Sequence, residues 1–438
     1  MKKLWGILII AGALLILPGC QAEAVDKHEA ESDLPGHVNM IVATDIHHLA
    51  TSLKDDGKAL MDFVYSGDGK LLQYSDELLE VFVHDVQAQA PDFVVLSGDL
   101  TNNGEKESHQ ELAEYLAEVE KKGIQVFVIP GNHDLLNPFA LGFEGRKRKR
   151  VDSVEPSEFV EIYQDYGYGE ALSRDPHSLS YLVRPTDDLA LLMLDTNRYE
   201  QNMQIGLSNP SGFVRNETMH WIDEVLSSLN ETEIIAVMHH NAIPHSQMFV
   251  DNFVLDNSKE TMDLLAEYKV RVVLSGHTHI QDLIQDPETG IFDFTTSAMS
   301  VYPHGYGLLS LDQGSIIYTC KALDMESYAK EKQWKDENLL NFIDFAPRFF
   351  VGRSEQKLKA QIPDSFTPKQ KEEMMTVMGQ LNLAYFAGVE ADEKEHIKQL
   401  KGYKELREVE SAFLQYYIDS ILLDETNDNY MRIEREEE

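Results

Sequence analysis

Val126-Phe127-Val128-Ile129-Pro130-Gly131-Asn132-His133-Asp134 is an apolar run that ends abruptly in polar, metal-seeking side chains. Two earlier stretches end the same way. Residues 38–44 run into Asp45, and residues 93–96 run into Ser97-Gly98-Asp99. Between them, residues 75–89 (Leu78, Leu79, Val81, Phe82, Val86) and 105–122 carry apolar side chains at helical spacing. Strand, helix, strand in this order implies parallel strands joined by crossover helices. Further short apolar runs at 189–194, 234–238 and 272–274 suit a sheet covered on both faces. The fold class is therefore α/β. In such sheets, sites form beyond the carboxyl ends of strands.

Five strand ends deliver polar ligating types. They are Asp45-Ile46-His47, Gly98-Asp99, Gly131-Asn132-His133-Asp134, His239-His240 and Gly276-His277-Thr278-His279. In an extended segment, residues two apart share a face. Asp45 with His47, and His277 with His279, can then each aim two donors at one place. The glycines allow close approach of the backbone. Carboxylate, amide oxygen and imidazole together suit Mn²⁺, Fe or Zn²⁺; Ca²⁺ takes oxygen alone. Each piece by itself is weak, since a lone Asp-x-His or His-His pair is common in folded cores. The ordered set is specific.

That set resembles the calcineurin-like metallophosphoesterases over residues 37–322, and most closely the bacterial cyclic-nucleotide and glycerophosphodiester phosphodiesterases. The resemblance implies a two-sheet sandwich flanked by helices, with a bimetal centre along one edge. It assigns Asp45, His47, Asp99 and His279 to the first of two divalent ions. Asp99 bridges to the second, which Asn132, His239 and His277 complete. His239 is the ligand of its pair, with His240 behind it, although Asn241 stands where the family often has proline. Two ions about 3.5–4 Å apart share a hydroxide and clamp the phosphoryl oxygens. His133 then stabilises the phosphoryl oxygen or protonates the leaving alkoxide, and Asp134 orients that imidazole. Mn and Fe are the favoured metals, with Zn an alternative. The expected substrate is a small phosphodiester, with cyclic nucleotides the favoured class. The rival readings are a broad phosphomonoesterase or nucleotidase, and a non-catalytic envelope-binding lipoprotein.

The chain has 438 residues and a formal charge of −37. That balance excludes a nucleic-acid polymer, whose recognition needs a basic footprint. An anionic small substrate requires a local reversal of sign, which bound cations supply. No obligate protein partner is inferred. At the start, Lys2 and Lys3 precede an apolar run over residues 4–17 and then Leu17-Pro18-Gly19-Cys20. Fourteen helical residues span about 21 Å, against a hydrocarbon core of roughly 30 Å. A signal segment followed by a lipid-modified Cys20 is therefore expected, with residues 21–36 as a tether. This places the enzyme outside the cytoplasm, anchored to a bacterial membrane. No disulfide is expected, and Cys320 reads as a buried strand residue.

Residues 290–322 read as short strands closing the sheet. Beyond Met325 the pattern turns helical, giving a C-terminal domain over 323–438 without strand signals. Thr367-Pro368 opens one helix, with Gln370 at its third position and Met374, Met375, Met378 and Leu381 on one face. Phe413, Tyr416, Tyr417 and Ile421 are assigned to the apolar face of the last helix. Arg146-Lys147-Arg148-Lys149-Arg150 is the dense basic run of the chain, within an insertion reaching about Ser178. A solvated loop is the favoured reading of that run, ahead of substrate or lipid attraction. The acidic residues 434–438 read as a solvated tail.

Overall fold

The computed structural model describes residues 37–229, 232–312, 314–359 and 361–434. Cys20, the tether and residues 435–438 lie outside them. Among the described residues no helix is long and apolar enough to cross a membrane.

Three apolar runs form β1 (Val38–Ala43), β2 (Phe93–Ser97) and β3 (Gln125–Ile129), paired in parallel. The crossovers are helices Ser75–Gln89 and Lys106–Glu120, close to the ranges expected from spacing. A hairpin follows, β4 (Leu141–Glu144) and β5 (Lys147–Arg150). The chain then builds a second sheet from β6 (Ser173–Arg174), β7 (Tyr181–Thr186), β8 (Leu189–Leu194), β9 (Glu233–Met238), β10 (Val272–Ser275), β11 (Asp282–Gln285) and β12 (Phe292–Thr295). Its order is β11-β12-β10-β9-β8-β7-β6. Finally β13 (Gly305–Asp312), β14 (Ser315–Ala322) and β15 (Tyr430–Ile433) return to the first sheet, ordered β15-β14-β13-β1-β2-β3.

The parallel core of each sheet is as expected, but the margins are antiparallel: β13, β14 and β15 in one, β6, β7 and β11 in the other. All six residues of β8 are buried. A fully buried aliphatic side chain contributes about 1.5–3 kcal/mol, so a strand covered on both faces carries no polar alternation. Side chains of both sheets, including Val42, Val95, Leu191, Val237 and Leu274, share one core. Cys320 is buried on β14, as its alternating context suggests.

The C-terminal segment is helical from Met325 to Leu422, but β15 departs from the expectation of no strand there. Its four residues offer too short a period to be read from sequence. Thr367 caps helix Pro368–Ala387 as expected, accepting from the Gln370 backbone N–H while the Gln370 side chain reaches back. Met374 and Leu381 are fully buried. In the last helix, Ala412–Leu422, the buried face is Leu414, Ile418 and Ile421. The assignment of Phe413 and Tyr416 to that face is corrected, since both are about half exposed. Phe413 borders a recess shared with Met375 and Met378, and Tyr416 donates to Gln247 Oε1 at 3.0 Å. The basic run forms the exposed strand β5, not a loop; Lys149 pairs with Glu144 and Arg148 lies over Phe63.

Candidate metal centre

Each proposed ligand stands just beyond a strand. β1 delivers Asp45 and His47, β2 Asp99, β3 Asn132, β9 His239, and β10 His277 and His279. One sheet thus supplies four donors and the other three. Backbone bonds lock the loops together: Asp45 N–H to Gly98 O at 3.1 Å, His47 N–H to Asp99 O at 2.9 Å, and Gly276 N–H to His239 O at 3.0 Å.

The donors fall into two groups, Asp45–His47–His279 and Asp99–His239–His277, each with its ligating atoms within 4.8 Å of one another. The extended-segment expectation for His277 and His279 is corrected: they serve different groups. Both have left-handed backbone, φ +69° and +62°, so their side chains diverge. Asp45, His47 and Asp99 are left-handed too, at φ 51°, 46° and 48°. Such residues are uncommon outside glycine and are held by their surroundings at functional sites. Gly276 explains part of that hold. A Cβ there would sit 2.0 Å from Thr44 Oγ1 and 2.7 Å from Asp45 Oδ2.

One oxygen of each carboxylate is fixed by the protein. Asp45 Oδ2 accepts from Thr44 Oγ1 and the His277 N–H, both at 2.9 Å, and Asp99 Oδ1 accepts from the His133 N–H at 2.8 Å. The other oxygens, Asp45 Oδ1 and Asp99 Oδ2, are buried without a hydrogen-bond partner. Asp99 Oδ2 lies 3.6 Å from His47 Nε2 and 3.3 Å from His239 Nε2, between the groups, as a bridging carboxylate must. Asp45 Oδ1 is 3.2 Å from His279 Nε2, and Asn132 Oδ1 is 3.1 Å from His239 Nε2. Ligands at about 2.0–2.2 Å from an ion are separated by roughly 3–3.5 Å from each other. The residues present therefore fit two cations.

The imidazoles are oriented from behind. His239 Nδ1 donates to Ser97 O at 3.0 Å, leaving Nε2 for the centre. His277 Nε2 donates to Asn252 O at 2.9 Å, leaving Nδ1. Burial pushes His47 down to about 3 and His277 to about 4, so both are neutral donors at pH 7. Against its burial, the Asp99 carboxylate and its neighbours raise His239 to about 9. Burial also opposes ionisation of Asp45 and Asp99, yet His279 beside Asp45 and His239 beside Asp99 hold both well below the usual carboxylate range. His240 is committed elsewhere, to Thr196 Oγ1 at 2.7 Å and Pro210 O at 3.0 Å. Its exclusion supports His239 as the donor.

His133 flanks both groups, its ring 4.9 Å from that of His47 and its Nε2 3.9 Å from Asp99 Oδ2. Its Nδ1 lies 2.8 Å from Asn102 O and 3.0 Å from Asn103 Oδ1. These groups orient the ring, which corrects the role expected of Asp134. That carboxylate instead accepts from the backbone of Leu100, Thr101 and Gly131, within about 3 Å, and so ties β2's loop to β3's. Adjacency in sequence misled here, because the turn at Gly131 sends the two side chains apart. Lys70 was missed altogether. Its charge, after burial, pushes His47 and His133 down, and its ammonium pairs with Asp68 at 3.5 Å. Gly67-Asp68-Gly69-Lys70 was the available signal, a glycine-flanked cation in an acidic chain.

The family model described as calcineurin-like phosphoesterase matches residues 38–281. The chain belongs to that family. A second model, described as the C-terminal domain of cyclic nucleotide phosphodiesterase, matches residues 324–428 of this calcineurin-like phosphoesterase. Among its relatives, a Psychrobacter arcticus protein named as a probable cyclic nucleotide phosphodiesterase is 24% identical over 56% of this chain and 74% of its own length. A glycerophosphodiester phosphodiesterase of Enterobacter lignolyticus is 24% identical over 44% of this chain and 57% of its own. Relatives from Xenorhabdus bovienii and Moraxella catarrhalis are spanned over 61% and 58% of their lengths. A dimetal phosphatase structure from Danio rerio aligns over 65% of this chain and 96% of its own, at 13% identity and a TM-score of 0.47. Family membership makes the protein a metallophosphoesterase and implies a dinuclear metal centre, which the two donor groups fit.

Proposed function

We propose that this metallophosphoesterase hydrolyses phosphodiesters, with cyclic nucleotides the first class to test. The observation that carries the reading is the pair of donor groups sharing Asp99 Oδ2 beside an aromatic recess. That recess, of about 280 Å³, is lined by Phe249, Phe350, Met375, Met378, Phe386 and Tyr417, with Asp68 at its wall. Phe249 contacts Phe253 at 5.5 Å, and Phe253 lies 5.2 Å from the His277 ring, so ring contacts connect the wall of the recess to the centre. A planar, apolar group on one ester oxygen has somewhere to go. The Met stripe is core throughout, with Met374, Met375 and Met378 all buried, and Met375 and Met378 also border this space. The relatives named as phosphodiesterases and the match of the C-terminal segment support the same class.

When bound, the two ions supply Lewis acidity and an activated water. Mn and Fe are proposed, with Zn an alternative, on the mixed nitrogen and oxygen donors. The remaining work belongs to the chain. Lys70 offers a positive charge to the phosphoryl oxygens. His133 presents Nε2 toward the centre; with Nδ1–H committed to Asn102, the neutral ring that burial favours carries a lone pair there, and the ring becomes an acid once Nε2 takes up a proton. That proton is the one available to the departing oxygen.

The test is manganese-dependent hydrolysis of bis(p-nitrophenyl) phosphate against p-nitrophenyl phosphate, followed by a panel of cyclic and linear diesters. Diester preference is expected. Monoester preference would replace this reading with a phosphomonoesterase, and no turnover with any metal would remove it. We also propose a lipid anchor at Cys20 holding the enzyme outside the cytoplasm, on the residues 2–20 pattern. Labelled palmitate should enter the wild type and not Cys20→Ser; equal labelling would refute the anchor.

A further inference from the structure

A second carboxylate cluster lies where the helical segment meets the second sheet. Asp282 opens β11, and Asp424 and Asp428 flank Thr426 in the loop leading from the last helix to β15. Ligating oxygens of the three aspartates lie within 4.8 Å of one another. Asp282 and Asp428 are buried, at 3% and 0% exposure, while Asp424 is half-buried and opens the cluster toward solvent. Glu390, 1% exposed, begins the helix Glu390–Gln399, and its carboxyl feels Asp428, Asp282 and Asp424.

The protein satisfies one side of this cluster and leaves the other bare. Asp282 Oδ2 accepts from His245 Nδ1 at 2.9 Å. Asp428 Oδ1 accepts from the Leu283 N–H at 3.3 Å and lies 3.0 Å from Thr426 Oγ1, whose single hydrogen it competes for with Asp424. Asp424 Oδ1 accepts from the Thr426 N–H at 2.7 Å and Oγ1 at 2.6 Å. Asp282 Oδ1, Asp428 Oδ2 and Glu390 Oε2 are buried with no hydrogen-bond partner. Uncompensated buried carboxylates are costly. His245 offsets at most one charge, and its Nε2 is shared with Asp293, 3.2 Å away. Lys394 turns to the Asp424 carbonyl at 3.3 Å and the Glu425 carboxylate at 3.5 Å, not to the cluster's bare oxygens.

Oxygen-only donors, several of them carboxylates, are what Ca²⁺ takes. We propose that Asp282, Asp424 and Asp428, with Glu390 behind them, bind a calcium ion that joins the helical segment to the catalytic sheet. The junction is already close-fitting there: Gln281 Nε2 donates to Asp428 O at 2.7 Å. β11 starts three residues after His279, so the ion steadies the strand that leaves the catalytic loop.

The experiment uses full-length enzyme stripped on a chelating resin, then saturated with Mn²⁺ alone to fill the catalytic centre. Adding about 1 mM Ca²⁺ should raise the thermal midpoint by about 3–6 °C, as a ligand of the native state does. Equilibrium dialysis should find one calcium per chain. Asp428→Asn and Asp424→Asn should abolish both responses while kcat with Mn²⁺ stays within twofold. No calcium bound by the wild type would overturn the proposal, whether or not the variants fold. So would an undiminished shift in both variants. Stabilisation by Asp428→Asn in calcium-free buffer, with no calcium response in the wild type, would mean that the carboxyls share protons instead.

Discussion

Two buried clusters with carboxylates meet the second sheet three residues apart along the chain, at His279 and Asp282. Both hold carboxylate oxygens that the protein leaves bare, Asp45 Oδ1 and Asp99 Oδ2 in one, Asp282 Oδ1 and Asp428 Oδ2 in the other. They differ in what surrounds those oxygens. The strand-end centre mixes carboxylate, amide and imidazole from five loops, several of them left-handed. The junction uses oxygen alone, drawn from one strand, one loop and one helix. Bare oxygens signal a cation in both places; the accompanying donors decide which cation.

Asp99→Ala should break the first cluster outright, because one carboxylate serves both groups. Transition-metal content by elemental analysis should fall below one per chain and hydrolysis to background, whereas Asp428→Asn should keep two. Retention of two metals by Asp99→Ala would dissolve the distinction. His133→Ala should keep its metals and lose about 10²–10⁴-fold in kcat, the worth of a positioned acid. The loss should shrink for p-nitrophenolate leaving groups, which need little protonation. An equal loss on all esters would assign His133 to phosphoryl binding.

A third contrast concerns a buried carboxyl with no cation at all. Glu105 is fully buried, and burial pushes it up to about 7 although the N–H of Asn103 favours its ionised form at 2.7 Å. With the folded value above the unfolded one, stability should be highest below about pH 4.5 as far as Glu105 is concerned. Its contribution should decline as pH rises to about 7, on the order of 3 kcal/mol in all. Glu105→Gln should flatten urea midpoints between pH 5 and 7; an unchanged slope would show that Glu105 is ionised in the fold. The smallest effect is reserved for the surface. Replacing Arg146, Lys147, Arg148, Lys149 and Arg150 with Gln should leave KM and its salt dependence unchanged, as befits an exposed hairpin. A raised KM, with that salt dependence flattened, would make the run a substrate-steering element.

The strand-end cluster was legible because its donors follow apolar runs at short, fixed spacing. Asp45, His47, Asp99, Asn132, His239, His277 and His279 all arrive where the sequence places them. How His277 and His279 divide came from the family resemblance and not from their spacing, since backbone handedness has no period. Asp134 was misread for a related reason: the residue next to His133 points to another loop. The junction cluster joins Asp282 to residues more than 140 positions later, and no local pattern announces such a meeting. Lys70 lay in a glycine-flanked turn with no strand before it.

The four residues of β15 pair with Ile316–Thr319 of β14. Everything from residue 323 to 429 is thereby an excursion between two neighbouring strands. A chain cut after Ala322 would not simply shed its helices. It would lay open the backbone edge of β14, a template for self-association, so a shortened enzyme should precipitate before it can report on what the helices do.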